Sequence, residues 1–373
     1  LTKAVSADIK VHSLMHSARV CQWLRMPHMA QTIYEQGPRL LPTEPVFYHL
    51  LGDLHEQNGQ TDASIYFYTR ALELEPDNTQ LHKKLAQAHK DNDDSLNAIR
   101  TLEHLVSIQD RDTESLYDLA RLHTESAQYM RALYYLKEAV ALSPENPYLH
   151  SNMAYVLFKL EDIEGAIEEY RTAISFGEDP VWISTIAQTL GTIYYQMCKD
   201  IEAAIGVYTL ACEMEPTNME CLAMLAELYF EQGNMQGALD LYQIIEQMEP
   251  ENPDCHNYIG YLLWQMDRND EAIKAYEQAL KYDPDNYVSY NNLGVIYLDE
   301  QYNANEALTM FSKALSYKSD YTLAQFNLGR SHELLGNITE AAKCYSTALD
   351  LNGENPEMTD AEITERIDQL FKT

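Results

Sequence analysis

His12 and His16 stand four residues apart, a spacing that sets two imidazoles on one face of a helix, where they could ligate a metal ion. A zinc site needs three or four ligands, and neither a third ligand nor an intervening catalytic Glu accompanies the pair. The two therefore read as groove-facing side chains, and no metal is expected. Glu161 and Asp162 could do acid–base work as neighbouring carboxylates, but they fall in a turn between helical stretches with no third polar partner. Cys221 and Cys255 lie 34 residues apart, and one residue type recurring at a fixed step marks packing positions rather than a reactive pair. No G-x-x-x-x-G-K-[ST], G-x-G-x-x-G or G-x-S-x-G sequence occurs, so neither a phosphate cradle nor a nucleophile elbow is indicated. No catalytic residue and no cofactor is expected.

The 373 residues carry 26 Lys and Arg against 58 Asp and Glu, a net charge of −32. Phosphate backbones and anionic lipid surfaces demand a basic footprint, so this balance argues against nucleic acid and leaves basic partners open. With 46% hydrophobic residues the chain has enough apolar surface for a large core, which rules out disorder throughout. Six cysteines are too few for a disulfide framework and none form C-x-x-C, which suits a reducing compartment; the expected location is cytoplasmic. There is no apolar run of 18 residues, so no membrane insertion is expected, and no leader pattern is visible. The first residue is Leu1 rather than Met, which points to processing or a fragment.

The elements that would position any site follow a strict period. Leu51-Gly52, Leu85-Ala86, Leu119-Ala120 and Met153-Ala154 fall 34 apart, each a large residue before a small one. Small residues recur 12 positions on at Ser64, Ala98, Ala132 and Ala166, and Tyr68, Leu102, Leu136 and Tyr170 follow four later. About four extra residues enter between Tyr170 and Ala204, and one more near Asn303. Small positions let two helices approach to about 8–10 Å while the Tyr68 type of residue fills the groove between them. One such hairpin cannot bury both of its apolar faces, so it must stack on the next. Pro42, Pro76, Pro144, Pro216, Pro250 and Pro284 end second helices, and Asn78, Asn146, Asn218, Asn252 and Asn286 are placed to cap the helices that follow. Thr359 and Glu362 have the spacing of a capping box, opening a helix with Ile363, Ile367, Leu370 and Phe371 on one stripe.

A large–small pair on a first helix, then A-x3-Y/F/L-x2-A and a trailing Pro on a second, resembles the tetratricopeptide repeat (TPR) family. Ala272, Tyr276, Ala279 and Pro284 fit that second-helix pattern, as do Ala204, Tyr208, Ala211 and Pro216. The resemblance implies an all-α, right-handed superhelical solenoid of about ten helix-turn-helix repeats spanning 11–355, with an insertion around 171–203. Residues 1–10 read as an N-terminal lead, the remainder of a truncated repeat, and 356–373 as a C-terminal capping helix.

In that family the second, fifth, sixth, ninth, twelfth and thirteenth positions of each first helix face a concave groove. The mapping places Tyr148, Asn152, Tyr155 and Phe158 there from the fifth repeat, Gln188 and Tyr195 from the sixth, and Asn257, Tyr258, Tyr261 and Trp264 from the eighth. Asn291 and Asn292 follow from the ninth, then Phe326, Asn327 and Arg330 from the tenth. Aromatics are enriched at binding hot spots, and asparagine can pair with both N–H and C=O of an extended backbone. Asp53, Glu56, Glu114, Glu125, Glu220, Glu227, Glu231 and Asp254 map to the same face and would make it negative.

The expected function is a non-enzymatic scaffold or adaptor that holds an extended, basic or polar peptide of a protein partner across the fifth to tenth repeats. The family's carboxylate clamp is not reproduced: Lys83 matches, but Gln87, Asp118 and Tyr148 stand at its other positions, and Lys83, Lys84, Lys90 and Arg121 form a small basic island read as a solvated face. Two other readings stay open. One is the recognition arm of a larger enzyme such as a protein glycosyltransferase, whose asparagine ladder Asn152, Asn292 and Asn327 partly match. The other is self-association through the uncapped start.

Overall fold

The computed structural model describes residues 2–23, 27–108, 111–352 and 358–370, with side chains described from residue 10 onward apart from 19, 22, 27 and 28. Among these residues the chain forms α-helices, one π-turn and no strand. Two compact units divide it, Leu1–Glu178 and Asp179–Thr373.

The first unit is a series of helix pairs: α1 (Thr2–Trp23) with α2 (Pro27–Leu40), α3 (Pro45–Gln57) with α4 (Thr61–Leu74), α5 (Thr79–Asp91) with α6 (Ser95–Ile108), α7 (Thr113–Glu125) with α8 (Tyr129–Leu142), and α9 (Pro147–Lys159) with α10 (Ile163–Phe176). The second continues the scheme: α11 (Pro180–Ile193) with α12 (Ile201–Met214), α13 (Met219–Glu231) with α14 (Met235–Met248), α15 (Pro253–Gln265) with α16 (Asn269–Tyr282), α17 (Tyr287–Asp299) with α18 (Ala304–Tyr317), and α19 (Thr322–Leu334) with α20 (Ile338–Asn352). The final helix is α21 (Asp360–Leu370).

Within each pair a small residue of the first helix receives a ring or branched side chain of the second. A Cβ added at Gly294 would lie 2.6 Å from the Phe311 ring, and one at Gly260 would lie 2.9 Å from Tyr276. Tyr68, Tyr276, Phe311 and Tyr345 are buried in these joints. Within each unit the second helix of a pair packs on the first helix of the next, and the core is shared: Leu136, Leu149 and Val156 meet in the first unit, and Tyr242, Ile259 and Leu293 in the second.

The helix ends follow from their capping residues. Asn78 accepts from the Leu81 amide at 3.1 Å, and Asn252 from the amides of Asp254 and Cys255 at 3.0 and 3.1 Å. Glu161 adopts a left-handed φ of 64° in the turn before α10, and Asp162 accepts from the Gly165 amide at 3.0 Å, so the paired carboxylates shape a turn. The register slip at α11 has two parts. This helix begins about one turn earlier relative to its small residue Gly191 than its counterparts do, and the π-turn Tyr194–Cys198 at its end absorbs one further residue. The extra residue near Asn303 lies in the loop between α17 and α18.

At the end of the second unit the Thr359 amide donates to Glu362 at 2.9 Å while the Glu362 amide donates to Thr359 Oγ1 at 3.3 Å, a reciprocal capping box. Ile363 and Leu370 are buried against Tyr345 and Ala348, with Ile367 packed beside them; Phe371 lies outside the described residues.

Candidate protein-interaction site

The first helices of each unit present the side chains singled out above, and the two units present them differently. In the first, the basic island is matched charge for charge. Lys83 reaches Asp112 and Glu114 at 3.1 and 2.8 Å, Lys90 reaches Asp118 at 2.9 Å, Arg121 reaches Glu125 at 2.6 Å, and Lys84 pairs with Asp53. The cleft of about 370 Å³ beside Lys83 and Lys84 is thus lined by both signs, with Glu56 and Asp118 in its wall. The Tyr68 hydroxyl donates to Asp53 and Glu56, both at 2.8 Å, and burial together with these carboxylates pushes its pKa far up.

Tyr148 and Tyr155 on α9 are exposed, at 53% and 42%, and Phe158 is half-buried. Lys159 lies 5.3 Å from the Tyr155 ring centre and 6.0 Å from that of Phe158, so the chain's own ammonium already faces these rings. Asn152 donates to the Tyr148 carbonyl one turn back, at 2.7 Å.

In the second unit Tyr195, in the π-turn, donates to Glu231 on α13 at 2.6 Å. Glu227, one turn before Glu231, acts electrostatically on both Tyr195 and Tyr258 of α15. Tyr258 is 45% exposed and stacks on Tyr242 with ring centres 5.0 Å apart. Its hydroxyl is raised first by burial and then by the negative field of Glu227 and Asp254. Beside it Phe230, Tyr261 and Trp264 form a chain of ring contacts, 5.6 and 6.1 Å between centres, half-buried over the core. Residues 200–267 contain 13 Asp and Glu and neither Lys nor Arg, so this face has no internal cation of the Lys159 kind within that segment.

Several residues expected in the groove are engaged elsewhere. Asn291 and Asn327 are only 4% and 8% exposed, and Asn327 donates to Asn291 at 3.3 Å. Asn291 in turn donates to Asn292 at 3.4 Å, and Asn257 accepts from Ser289 at 3.1 Å. Asn291 and Asn327 thus spend their polarity between α17 and α19, and the Asn257 side-chain carbonyl is taken by Ser289 of α17, while Asn257 and Asn292 stay half-buried. Phe326 packs at 5.2 Å from Tyr345 inside its own hairpin. Arg330 is held by Asp299 and by Asn327, the latter at 3.2 Å, and so closes the same network. Of the predicted aromatics of the second unit, Tyr258 is exposed and Tyr195, Tyr261 and Trp264 are half-buried among the carboxylates of α13 and α15.

The sequence reading missed a set of internal latches. His82, His150 and His256 each bond through Nε2 to the carbonyl of a proline six residues earlier, Pro76, Pro144 and Pro250, at 2.7–2.8 Å, and the Tyr48 hydroxyl donates to Pro42 at 3.2 Å. The recurring P-x5-H spacing was the available signal. His12 and His16 are exposed on α1, and among the described residues no cluster of three or more potential metal ligands forms.

Sequence profiles of known families bear on this architecture directly. Profiles described as tetratricopeptide repeat match residues 46–78, 123–188 and 322–355, one described as TPR repeat matches 265–301, and one for anaphase-promoting complex, cyclosome, subunit 3 matches 197–279. The chain is a TPR protein. Among curated relatives of this TPR chain, the BBSome complex member bbs-4 of Caenorhabditis elegans is 23% identical over 239 residues, 55% of this chain and 51% of that protein. The ER membrane protein complex subunit 2 of Xenopus tropicalis is 25% identical over 139 residues, 36% and 47% of the two chains. The TPR chain thus spans about half or less of the length of these relatives. Among solved structures, the C-terminal part of a TPR repeat-containing protein from Cytophaga hutchinsonii aligns with a TM-score of 0.50 at 16% identity, covering 66% of this chain and 97% of that one, a likeness of fold. No described helix is long and apolar enough to cross a membrane.

Proposed function

We propose that this TPR chain is a non-enzymatic scaffold that binds a Lys- or Arg-bearing extended segment of a protein partner on the α13–α15 face of its second unit. The observation that carries the reading is the set of carboxylates Glu227, Glu231 and Asp254 beside the exposed Tyr258 ring and the Phe230–Tyr261–Trp264 row, in a segment, 200–267, that holds 13 Asp and Glu and neither Lys nor Arg. Aromatic faces beside unpaired carboxylates suit a cation on a flexible stem, through cation–π attraction and charge steering together. Membership of multi-protein complexes, which the names of the nematode and frog relatives state for those proteins, agrees with such a role. Six free cysteines suit a reducing, cytoplasmic setting. Of the asparagines Asn152, Asn292 and Asn327 that favoured an enzyme's recognition arm, Asn327 is buried and bonded to Asn291, which weakens that reading at one of its three positions.

A peptide-display selection on the full chain tests the proposal. Selected sequences are expected to be rich in Lys and Arg, to lose affinity as salt rises, and to be lost from a Glu227→Lys, Glu231→Lys variant. Selection of acidic or purely apolar peptides, or retention by that variant, overturns it.

A further inference from the structure

Cys212, near the end of α12, and Cys221, in the first turn of α13, place their sulfurs 2.8 Å apart, although eight residues and a proline turn separate them in sequence. Cys221 is fully buried and Cys212 half-buried, so Cys212 is the more accessible member of the pair. Cys255 supplies an internal comparison. It sits 34 residues after Cys221, is buried like it, and its thiol points at the Tyr242 carbonyl at 3.3 Å just as Cys221 points at the Tyr208 carbonyl at 3.6 Å. The residue 34 positions after Cys212, however, is Glu246. The thiol at position 221 is a repeat feature of the packing; the second sulfur facing it belongs to this joint.

We propose that Cys212 and Cys221 are a reversible dithiol–disulfide site, closed by hydroperoxides and reopened by thiols. The Cys212 thiolate attacks one peroxide oxygen; the S–O bond forms as the O–O bond breaks, and the leaving oxygen departs as water or an alcohol after taking up a proton. Cys221 then attacks the sulfenic sulfur; the S–S bond forms, the S–O bond breaks, and hydroxide leaves as water with the Cys221 proton. Two thiols and one hydroperoxide give one disulfide, one water and one water or alcohol, and the peroxide is the species reduced. The order of attack follows from the environment: contact between the two sulfurs holds the Cys212 thiol below its ordinary range, whereas that same contact and burial raise Cys221. The closed form ties the end of α12 to the start of α13, where one hairpin joins the next.

The test treats the folded full chain with hydrogen peroxide, removes the peroxide, unfolds the chain in an alkylating agent to block remaining thiols, and digests with a glutamate-specific protease. Cleavage after Glu213, Glu215 and Glu220 separates the two cysteines, so a mass joining 203–213 to 221–227 exists only when the bond has formed. That mass is expected in the wild type, is expected to vanish on addition of dithiothreitol and in Cys212→Ser, and Cys255 is expected to remain alkylatable throughout. Full alkylation of both Cys212 and Cys221 after peroxide, or a linked mass that appears only when the peroxide is applied to chain already unfolded, overturns the proposal. The wild-type measurement decides the matter even where the variant is less stable.

Discussion

The Asn327 carboxamide donates to Asn291 Oδ1 at 3.3 Å, joining α19 to α17 through a pair of side chains that are almost fully buried. Replacing Asn291 with Ala leaves the Asn327 donor without its partner in a place water does not reach. Equilibrium denaturation should show a loss of about 1–3 kcal/mol, with affinity for Lys-rich peptides unchanged. A drop in affinity without a drop in stability would return Asn291 to the binding face.

The same pair shows where sequence and structure part. The helix pairs were legible because they rest on a contact repeated many times, a small residue against a ring or branched side chain, as Gly294 against Phe311. The site was less so. Position within a repeat places a side chain on the first-helix face, but that face borders both solvent and the adjoining first helix. The direction of the side chain across that face decides whether Asn291 meets a peptide or Asn327. Tyr258 stayed outside because Tyr242 takes the space beneath its ring. The basic island was read as a solvated face, whereas its lysines are ion-paired; the partners of Lys83 and Lys90 come from the next helix pair and are not visible from local spacing.

Gly294→Leu tests the repeat register. The added Cβ alone would meet the Phe311 ring at 2.6 Å, and a buried ring between two helices cannot swing aside. Overpacking of this kind costs about 1–3 kcal/mol or more. Thermal melting should fall accordingly, and an unchanged melting temperature would mean that α17 and α18 do not approach as described.

Ala127 offers the opposite sign. Its φ of 54° lies in the left-handed region in the turn between α7 and α8, where the equivalent residues of three other hairpins are Gly59, Gly233 and Gly336. The steric cost of a Cβ there is about 1–2 kcal/mol, and glycine returns about 0.5–1 kcal/mol of it as unfolded-chain entropy. Ala127→Gly should therefore stabilise by up to about 1 kcal/mol, measured by denaturant midpoint. Destabilisation would mean that the alanine methyl makes a contact worth more than the strain.

His49, His82 and His123, all in the first unit, have pKa values below the ordinary 6.5, chiefly because burial disfavours the imidazolium. For His82 the Pro76 carbonyl and Asp77 oppose that effect and His104 adds to it. Once unfolded, each imidazole takes up its proton near pH 6.5; folded, it resists until lower pH. The unfolded state then binds more protons, so stability is fully present above pH 6.5 and declines as pH falls from there through the depressed folded values. Hydrogen exchange at about pH 7.5 and about pH 5.5 should show α5 and α7 losing protection faster than α15 and α17, and His82→Gln should flatten part of the difference by keeping a neutral donor near Pro76. Equal loss in both units would place the acid sensitivity in the carboxylates instead. Carboxylates are spread through both units, so the contrast between the two units isolates the buried imidazoles.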